Sequence, residues 1–224
     1  MKNNGKNKNI GIIGALSAFY LALSYLSGIV IFLIVLKYQG ITNPLDKLVI
    51  LNVNRFTIFL TNILMYILFG PVFILFILSL KYKFENTKCI LLDFSTIIGY
   101  IWAGSLVASG MVANAGIESV LAVYKTDVEQ AKFLWQTIDF ISIGLGNGNG
   151  EILGGLFSLF ICISAIKNEK LTKFINILGI ITGIIGTISV IPMFKDLGGI
   201  FGVAQIIWFI ATGIFLLPRK NKSI

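Results

Sequence analysis

Hydrophobic residues occupy long stretches of this chain, and most charged residues lie between them. Each stretch predicts a membrane-spanning helix, because it is long enough to cross roughly 30 Å of hydrocarbon at about 1.5 Å per residue. The predicted spans cover residues 10–36, 56–80, 94–122, 136–166, 174–194 and 197–218. We therefore expect an all-α fold, a single domain over 1–224 built as an integral membrane bundle of six transmembrane helices.

The composition supports this class. The chain has 224 residues, of which 56% are hydrophobic and 12% charged, whereas about a quarter of a soluble domain is charged. Lysines precede the first apolar stretch, as in a signal peptide, but that stretch is far longer than the usual core of about 7 to 15 residues. We expect it to remain as the first helix.

The distribution of lysine and arginine predicts the orientation of the six spans. Twelve of these 18 residues fall in the N-terminal segment, the connections 81–93 and 167–173, and the C-terminal tail, which would share one side of the membrane. The positive-inside rule therefore places both termini in the cytoplasm. The net charge of +8 follows from this arrangement, and we expect no nucleic-acid partner.

The chain contains no histidine, which excludes several kinds of catalytic site. Histidine-ligated zinc or haem, Ser-His-Asp triads and Cys-His pairs all require an imidazole. The two cysteines, Cys89 and Cys162, lack the paired spacing of a metal or redox motif. The sequence predicts no enzyme activity, no cofactor and no metal site.

The connection 37–55 is predicted to contain a short helix. Asn43 is a suitable N-cap, Pro44 suits the first helical position, and Asp46 complements the helix start. The apolar face expected for this helix comprises Leu45, Leu48, Val49 and Val53. We favour a helix lying at the lipid interface, with a lid over an outward-facing cavity as the alternative.

Two features of the second span predict local effects. The pair Gly70-Pro71 is expected to kink the helix, since proline leaves a backbone carbonyl without its helical partner. Asn62 is expected to form a hydrogen bond with a neighbouring helix, with a place on a cavity wall as the alternative.

Glu151 is the most informative polar residue of the chain. Only 15 residues separate it from Lys167, about 22 Å of helix, which is too short to cross the hydrocarbon. Counted as continuous helix from Asp139, Glu151 lies near the midplane. A charge there costs about 2.5 to 3.5 kcal/mol, and no lysine or arginine lies inside a span to neutralise it. The carboxyl is thus protonated, hydrogen-bonded or bound to a cation.

Four glycines in the segment 144–150 directly precede Glu151 and disfavour a continuous helix. A broken helix would present its ends and carbonyls to a substrate or ion, and Asn147 and Asn149 would add amide oxygens. The alternative is structural. The glycines would then let helices pack closely, and a protonated Glu151 would hold two of them together.

The third span carries a second acid. Asn114 and Glu118 are four residues apart, the offset that also separates Asn147 from Glu151. If the third and fourth spans form a hairpin turning near Glu129, Glu118 and Asp139 face each other and either share a proton or attract a cation. The alternative is that both are solvated in the headgroup layer.

The same hairpin register would bring small residues of the third span alongside Glu151. Ser109 is predicted to donate to Glu151 or to line the same cavity. Gln205, Trp208 and Thr212 share one face of the last span and would complete a polar pocket, or would mark the buried side of the bundle.

The C-terminal part of the chain resembles a known group of proteins. Trp135 and the runs GLGNGNGEILGGLFSLFICISAI at 144–166, LGIITGIIGTISVIP at 178–192 and GIFGVAQIIWFIATGIFLL at 199–217 carry the resemblance. They are similar to bacterial six-helix membrane proteins classified as a domain of unknown function. The resemblance implies a multi-pass protein of the bacterial cytoplasmic (inner) membrane and assigns no reaction.

Two functions agree with these observations. The first is a small transporter or permease coupled to a proton or monovalent cation, with a ligand site formed by Glu151, Asn147, Asn149, Glu118, Asn114, Asp139 and Ser109. The second is a non-transporting accessory or interaction protein of the membrane. The lipid bilayer is the surrounding partner in both, and a homodimer is a further expectation.

Overall fold

The computed structural model describes residues 2–38, 41–85, 89–146 and 151–218, which are helical and contain no strand. The α-helices are α1 (Lys2–Gly28), α2 (Pro44–Val53), α3 (Arg55–Asn62), α4 (Phe69–Lys83), α5 (Ile90–Tyr124), α6 (Val128–Leu145), α7 (Glu151–Lys167), α8 (Lys173–Ile188) and α9 (Leu197–Leu216). Wider π-helical turns occupy Ile29–Val35 and Ile63–Ile67, and a 3₁₀ turn occupies Pro192–Phe194.

Four helical segments of the described chain are long and apolar enough to cross a membrane. They are Lys8–Val35, Arg55–Lys83, Ile90–Tyr124 and Leu197–Leu216, and they correspond to the first, second, third and sixth predicted spans. The other two expected spans differ. Helical structure in 136–166 is interrupted after Leu145, and the helix of 174–194 ends at Ile188 after 16 residues.

The helix predicted in the connection 37–55 is present as α2. The Asn43 side chain accepts a hydrogen bond from the Leu45 N–H at 3.1 Å, and Pro44 occupies the first turn. The expected apolar face is partly wrong, because Leu48 and Leu51 are buried while Val49 and Val53 are exposed. Leu48 and Leu51 are three residues apart, so they share one face of α2, and this is the face that packs inward.

Gly70-Pro71, where a kink is expected, lies in the first turn of α4, and a π-helical turn over Ile63–Ile67 precedes it. The Leu68 N–H bonds to the Ile63 carbonyl five residues back at 2.8 Å, which closes the π-helical turn. Proline supplies no N–H, so the carbonyls before it need other donors. Gly70 is required by packing, since a Cβ atom there would lie 2.8 Å from the Ala103 carbonyl oxygen of α5.

The described residues fall into two compact units. The first comprises 2–23, 71–101 and 151–218, and the second comprises 24–70 and 102–146. In the first unit a cluster of aromatic rings fills the core, with centroid separations of 4.9 Å for Phe73–Phe157 and 5.4 Å for Phe76–Phe209. Trp208 is fully buried in the same cluster.

Within the first unit α7 and α8 pack with their backbones in near contact. A Cβ atom on Gly155 would lie 2.5 Å from the Thr187 nitrogen, and one on Gly183 would lie 2.6 Å from the Leu159 nitrogen. Small residues allow such an approach between helices. Gly179 of α8 faces Trp208 of α9, whereas Gly183 serves the contact with α7.

The second unit contains the expected antiparallel hairpin of α5 and α6. The chain turns at 125–127, where the Asp127 side chain caps α6 by accepting from the Gln130 N–H at 2.9 Å. The core of this unit joins α2 to the hairpin. Its buried members are Leu36, Leu48, Leu51, Ile58, Ile117, Val120, Leu121, Ala131 and Trp135.

Candidate functional site

Glu151 is the first residue of α7 and is half-buried in the first unit. A Cβ atom on Gly198, in the first turn of α9, would lie 3.5 Å from the Glu151 carboxylate oxygen Oε1. One on Gly186, near the end of α8, would lie 2.8 Å from the Glu151 carbonyl oxygen. The carboxylate therefore lies where the start of α7, the end of α8 and the start of α9 meet, beside two residues that lack side chains.

The helix before this site ends as the glycine pattern predicts. Gly146 caps α6 with φ 146°, a conformation that is strained for residues with a side chain. The count that placed Glu151 near the midplane assumed a continuous helix from Asp139, so it does not apply to this chain. Asn147 and Asn149, the predicted amide ligands, lie outside the described residues.

Polar side chains continue from Glu151 along the contact between α7 and α9, which we call the α7–α9 seam (Glu151, Ser158, Gly198 and Gln205). The Ser158 hydroxyl donates to Gln205 Oε1 at 3.3 Å, and both residues are fully buried. Ser158 lies seven residues after Glu151 on α7, and Gln205 lies seven residues after Gly198 on α9. Because both contacts advance in the same direction, α7 and α9 run parallel. The pairs are about 10 Å apart along the helix axis.

Two buried polar atoms on α9, Gln205 Nε2 and Thr212 Oγ1, have no hydrogen-bond partner among the described residues. The Trp208 indole between them interacts with the Cys162 thiol. These are the residues expected to share one face of the last span, and each is fully buried. Exchanging the nitrogen and oxygen of the Gln205 amide would still leave one of them unpaired. The seam therefore retains hydrogen-bonding capacity that Ser158 does not use.

Asn114 is buried in the second unit, where it bonds to α3. Asn62 Nδ2 donates to Asn114 Oδ1 at 2.9 Å, and Asn114 Nδ2 donates to the Phe59 carbonyl at 3.2 Å. The expectation that Asn62 bonds to a neighbouring helix is confirmed. Asn114 does not share an environment with Glu118, which is exposed.

Ser109 is also buried, and its hydroxyl donates to the Ser142 carbonyl of α6 at 2.9 Å. Its single hydroxyl hydrogen is used in this bond within the α5–α6 hairpin. The Ser142 hydroxyl is buried without a partner among the described residues. The pair sets the register of the hairpin, with Ser109 level with Ser142.

Asp139 and Glu118 are not brought together as expected. The hairpin turns at 125–127 rather than near Glu129, and Gly116 is level with Ile138, since a Cβ atom on Gly116 would lie 2.6 Å from the Ile138 side chain. Asp139 instead lies 3.8 Å from Lys47 of α2, and these two side chains are about three-quarters buried. The negative charge of Asp139 is thus balanced within the protein.

Tyr38 extends this ion pair into a small polar cluster. Its hydroxyl accepts a hydrogen bond from the Trp135 indole N–H at 3.1 Å, and Lys47 Nζ lies 5.0 Å from the centre of its ring. Burial, together with the neighbouring Asp139 carboxylate, raises the pKa of the Tyr38 hydroxyl well above its ordinary value. Tyr38 is therefore a neutral phenol. The cluster links α2 to the α5–α6 hairpin.

Some of these partners were not found from the sequence. The sequence does not single out Lys47 as a partner of Asp139, because nothing in the pattern indicates which side of α2 packs on α6. Ser158 lies seven residues after Glu151 on the same helical face, and this spacing was an available signal. Asn62 and Asn114 were each recognised, but no local pattern pairs residues 52 positions apart.

No protein-family model matches the chain, and no curated protein or solved structure is significantly similar to it. The class of protein therefore follows from the fold itself. The described chain is all-helical, and four of its helical segments have the length and hydropathy of membrane spans. Its candidate ligand site is the carboxylate of Glu151 at the head of the α7–α9 seam.

Proposed function

We propose that this chain is a small ion-coupled permease of the bacterial cytoplasmic membrane in which Glu151 binds a proton or a monovalent cation. The observation that carries the proposal is the position of this half-buried carboxylate at the start of α7, five residues after Gly146 terminates α6. Helices broken inside the membrane present polar groups to substrates and ions in this way.

The lengths of the helices support a site in the outer part of the membrane. Glu151 lies about 24 Å from Lys167 along α7, and Gly198 lies about 27 Å from Leu216 along α9. The hydrocarbon core is roughly 30 Å thick. With Lys167 at the cytoplasmic boundary, the carboxylate lies about 6 Å below the outer boundary. An external ion would reach it over a short distance.

The surroundings of Glu151 support binding of a positive charge. Among the described residues no lysine or arginine forms an ion pair with it. The N-terminal ends of α7 and α9 lie beside the carboxylate. An ionised carboxylate in apolar surroundings requires a compensating charge, which a proton or cation supplies.

The remaining parts of the proposal follow the sequence. Asn147 and Asn149 are proposed as additional ligands through their amide oxygens. We propose six crossings with both termini cytoplasmic, the fourth over 136–166 and the fifth over 174–194. Asp139 is left out of the ion path because Lys47 neutralises it, and Glu118 belongs to the exposed surface.

A specific observation favours the second function, a non-transporting accessory membrane protein. Several buried polar groups are bonded inside the bundle, as in the pairs Asn62–Asn114 and Ser158–Gln205. In that function Glu151 stabilises the starts of α7 and α9 and binds no ion.

Substitution of Glu151 by glutamine separates the two functions. Glutamine keeps the shape and hydrogen bonding of the side chain and removes the charge. Thermal unfolding of the purified full chain would be followed from pH 5 to 9 with Na⁺, K⁺, Li⁺ or divalent ions. A bound ion at a hundred times its dissociation constant stabilises the folded state by about 2.7 kcal/mol.

The control variant is Glu118→Gln, which makes the same chemical change at an exposed acid. Ion-dependent or pH-dependent stabilisation in the wild type and in Glu118→Gln, but not in Glu151→Gln, supports the permease. Ion flux into proteoliposomes should show the same pattern. Flat profiles in all three proteins, with all three folded and monodisperse, contradict it and favour the accessory function.

A further inference from the structure

A cleft of about 380 Å³ lies in the first unit near the C-terminal end of α9. Glu151 lies beside the N-terminal end of the same helix. Its lining comprises Lys8, Gly11, Lys83, Phe215, Leu216, Leu217 and Pro218. We call it the Lys8–Lys83 cleft. None of these residues takes part in the proposed ion site.

The cleft lies where three candidate membrane spans end. Lys8 begins the span Lys8–Val35, Lys83 ends the span Arg55–Lys83, and Leu216 ends the span Leu197–Leu216. Three apolar helices that end together mark the level at which hydrocarbon gives way to lipid headgroups. The cleft therefore lies at the depth of the phosphate groups of a surrounding bilayer.

The charge of the cleft is positive. Its lining contains two lysines and no acid. Lys81, two residues earlier on the chain, is neutralised by Asp93 at 3.5 Å, whereas Lys8 and Lys83 form no ion pair with any described residue. Lys83 Nζ lies 5.9 Å from the centre of the Phe215 ring, which orients the ammonium without neutralising it.

The wall of the cleft is apolar. Phe215, Leu217 and Pro218 contribute to it, and Leu217 is 42% exposed. Gly11 shapes the base, because a Cβ atom there would lie 2.7 Å from the Leu216 carbonyl oxygen. A ligand that suits both the lysines and this wall carries a negative headgroup and an acyl chain.

We propose that the Lys8–Lys83 cleft binds the phosphate of an anionic phospholipid, with the first part of an acyl chain against Phe215 and Leu217. Basic sites between transmembrane helices on the cytoplasmic side bind such headgroups. A free phosphate carries the same negative charge but has no acyl chain to contact the apolar wall. This inference depends on the membrane location of the protein and is independent of ion transport.

Native mass spectrometry of the full chain in detergent tests the proposal. Phosphatidylglycerol and phosphatidylcholine would be titrated in parallel, with inorganic phosphate as a competitor. The variants are Lys8→Gln, Lys83→Gln and the double variant. The control is Lys173→Gln, which removes one exposed lysine outside the cleft.

We expect the wild type to bind phosphatidylglycerol in preference to phosphatidylcholine. Each cleft substitution should weaken binding about fivefold and the pair about thirtyfold, from about 1 kcal/mol per lysine. Lys173→Gln should leave the affinity unchanged. Equal binding of the two lipids, an unaltered affinity in the folded double variant, or displacement by phosphate at the concentration of the lipid would each overturn the assignment.

Discussion

Asn62 and Asn114 carry polar amides into an apolar part of the second unit, and each is more than nine-tenths buried. Burying an amide is unfavourable unless it is hydrogen-bonded. Here Asn62 donates a hydrogen bond to Asn114, and Asn114 donates one to the Phe59 carbonyl. The pair thus connects α3 to α5 and compensates the desolvation of both amides.

We predict that Asn62→Leu and Asn114→Leu each destabilise the folded protein by about 1 to 2 kcal/mol, because each leaves a buried amide without its partner. The double variant should cost less than the sum, since neither partner is then left unpaired. Reversible unfolding in detergent measures the coupling. Asn52→Leu, at an exposed position of α2, is the control and should be nearly neutral. Strictly additive losses would contradict a direct interaction.

Among the elements, the end of α6 is determined by a single backbone conformation. Gly146 has φ 146°, and its N–H bonds to the carbonyls of Ser142 and Ile143. An L-residue rarely adopts this conformation because its Cβ atom collides with the backbone. Gly144, two residues earlier, lies inside the helix, and a Cβ atom there would meet nothing within 4 Å.

These two glycines form a matched pair for a test of the helix interruption. Gly146→Ala should destabilise the protein by about 1 to 3 kcal/mol through backbone strain. Gly144→Ala should be neutral or stabilise it by up to about 1 kcal/mol, because alanine favours helix more than glycine does. Thermal unfolding of both variants measures the difference. Equal effects would show that α6 does not need the positive φ at Gly146.

At the scale of the whole molecule, the two native cysteines allow the membrane topology to be tested by chemical labelling. Cys162 is fully buried, whereas Cys89 is partly exposed and precedes α5. Hydrogen bonds with the backbone at Leu92 and with the Ser164 side chain lower the pKa of the Cys89 thiol. Cys89 lies in the connection 81–93 that we propose to be cytoplasmic.

We predict that a membrane-impermeant maleimide labels Cys89 in inside-out vesicles and not in intact cells. Because its pKa is lowered, the labelling rate should reach half its maximum below the ordinary thiol value of about 8.5. The control is Lys125→Cys in a Cys89→Ser background, an exposed position in the opposite connection, which should be labelled in intact cells. The reverse pattern would contradict cytoplasmic termini.

The sequence alone determined the properties that depend on local pattern. Long apolar runs predict helices whatever they pack against, and four of them form candidate spans. Asn43 and Pro44 define the start of α2 because capping involves only neighbouring residues. The glycines before Glu151 predict the interruption of the helix for the same reason, since backbone preferences are local.

Tertiary structure alone decided which side chains meet. A turn three residues earlier than expected moved Asp139 away from Glu118, and the packing of α2 provided Lys47 as its partner. The contact of Glu151 with Gly198 joins residues 47 positions apart. Such pairs depend on helix register and on which faces pack, and a hydrophobic pattern that is nearly uniform around each helix does not encode either.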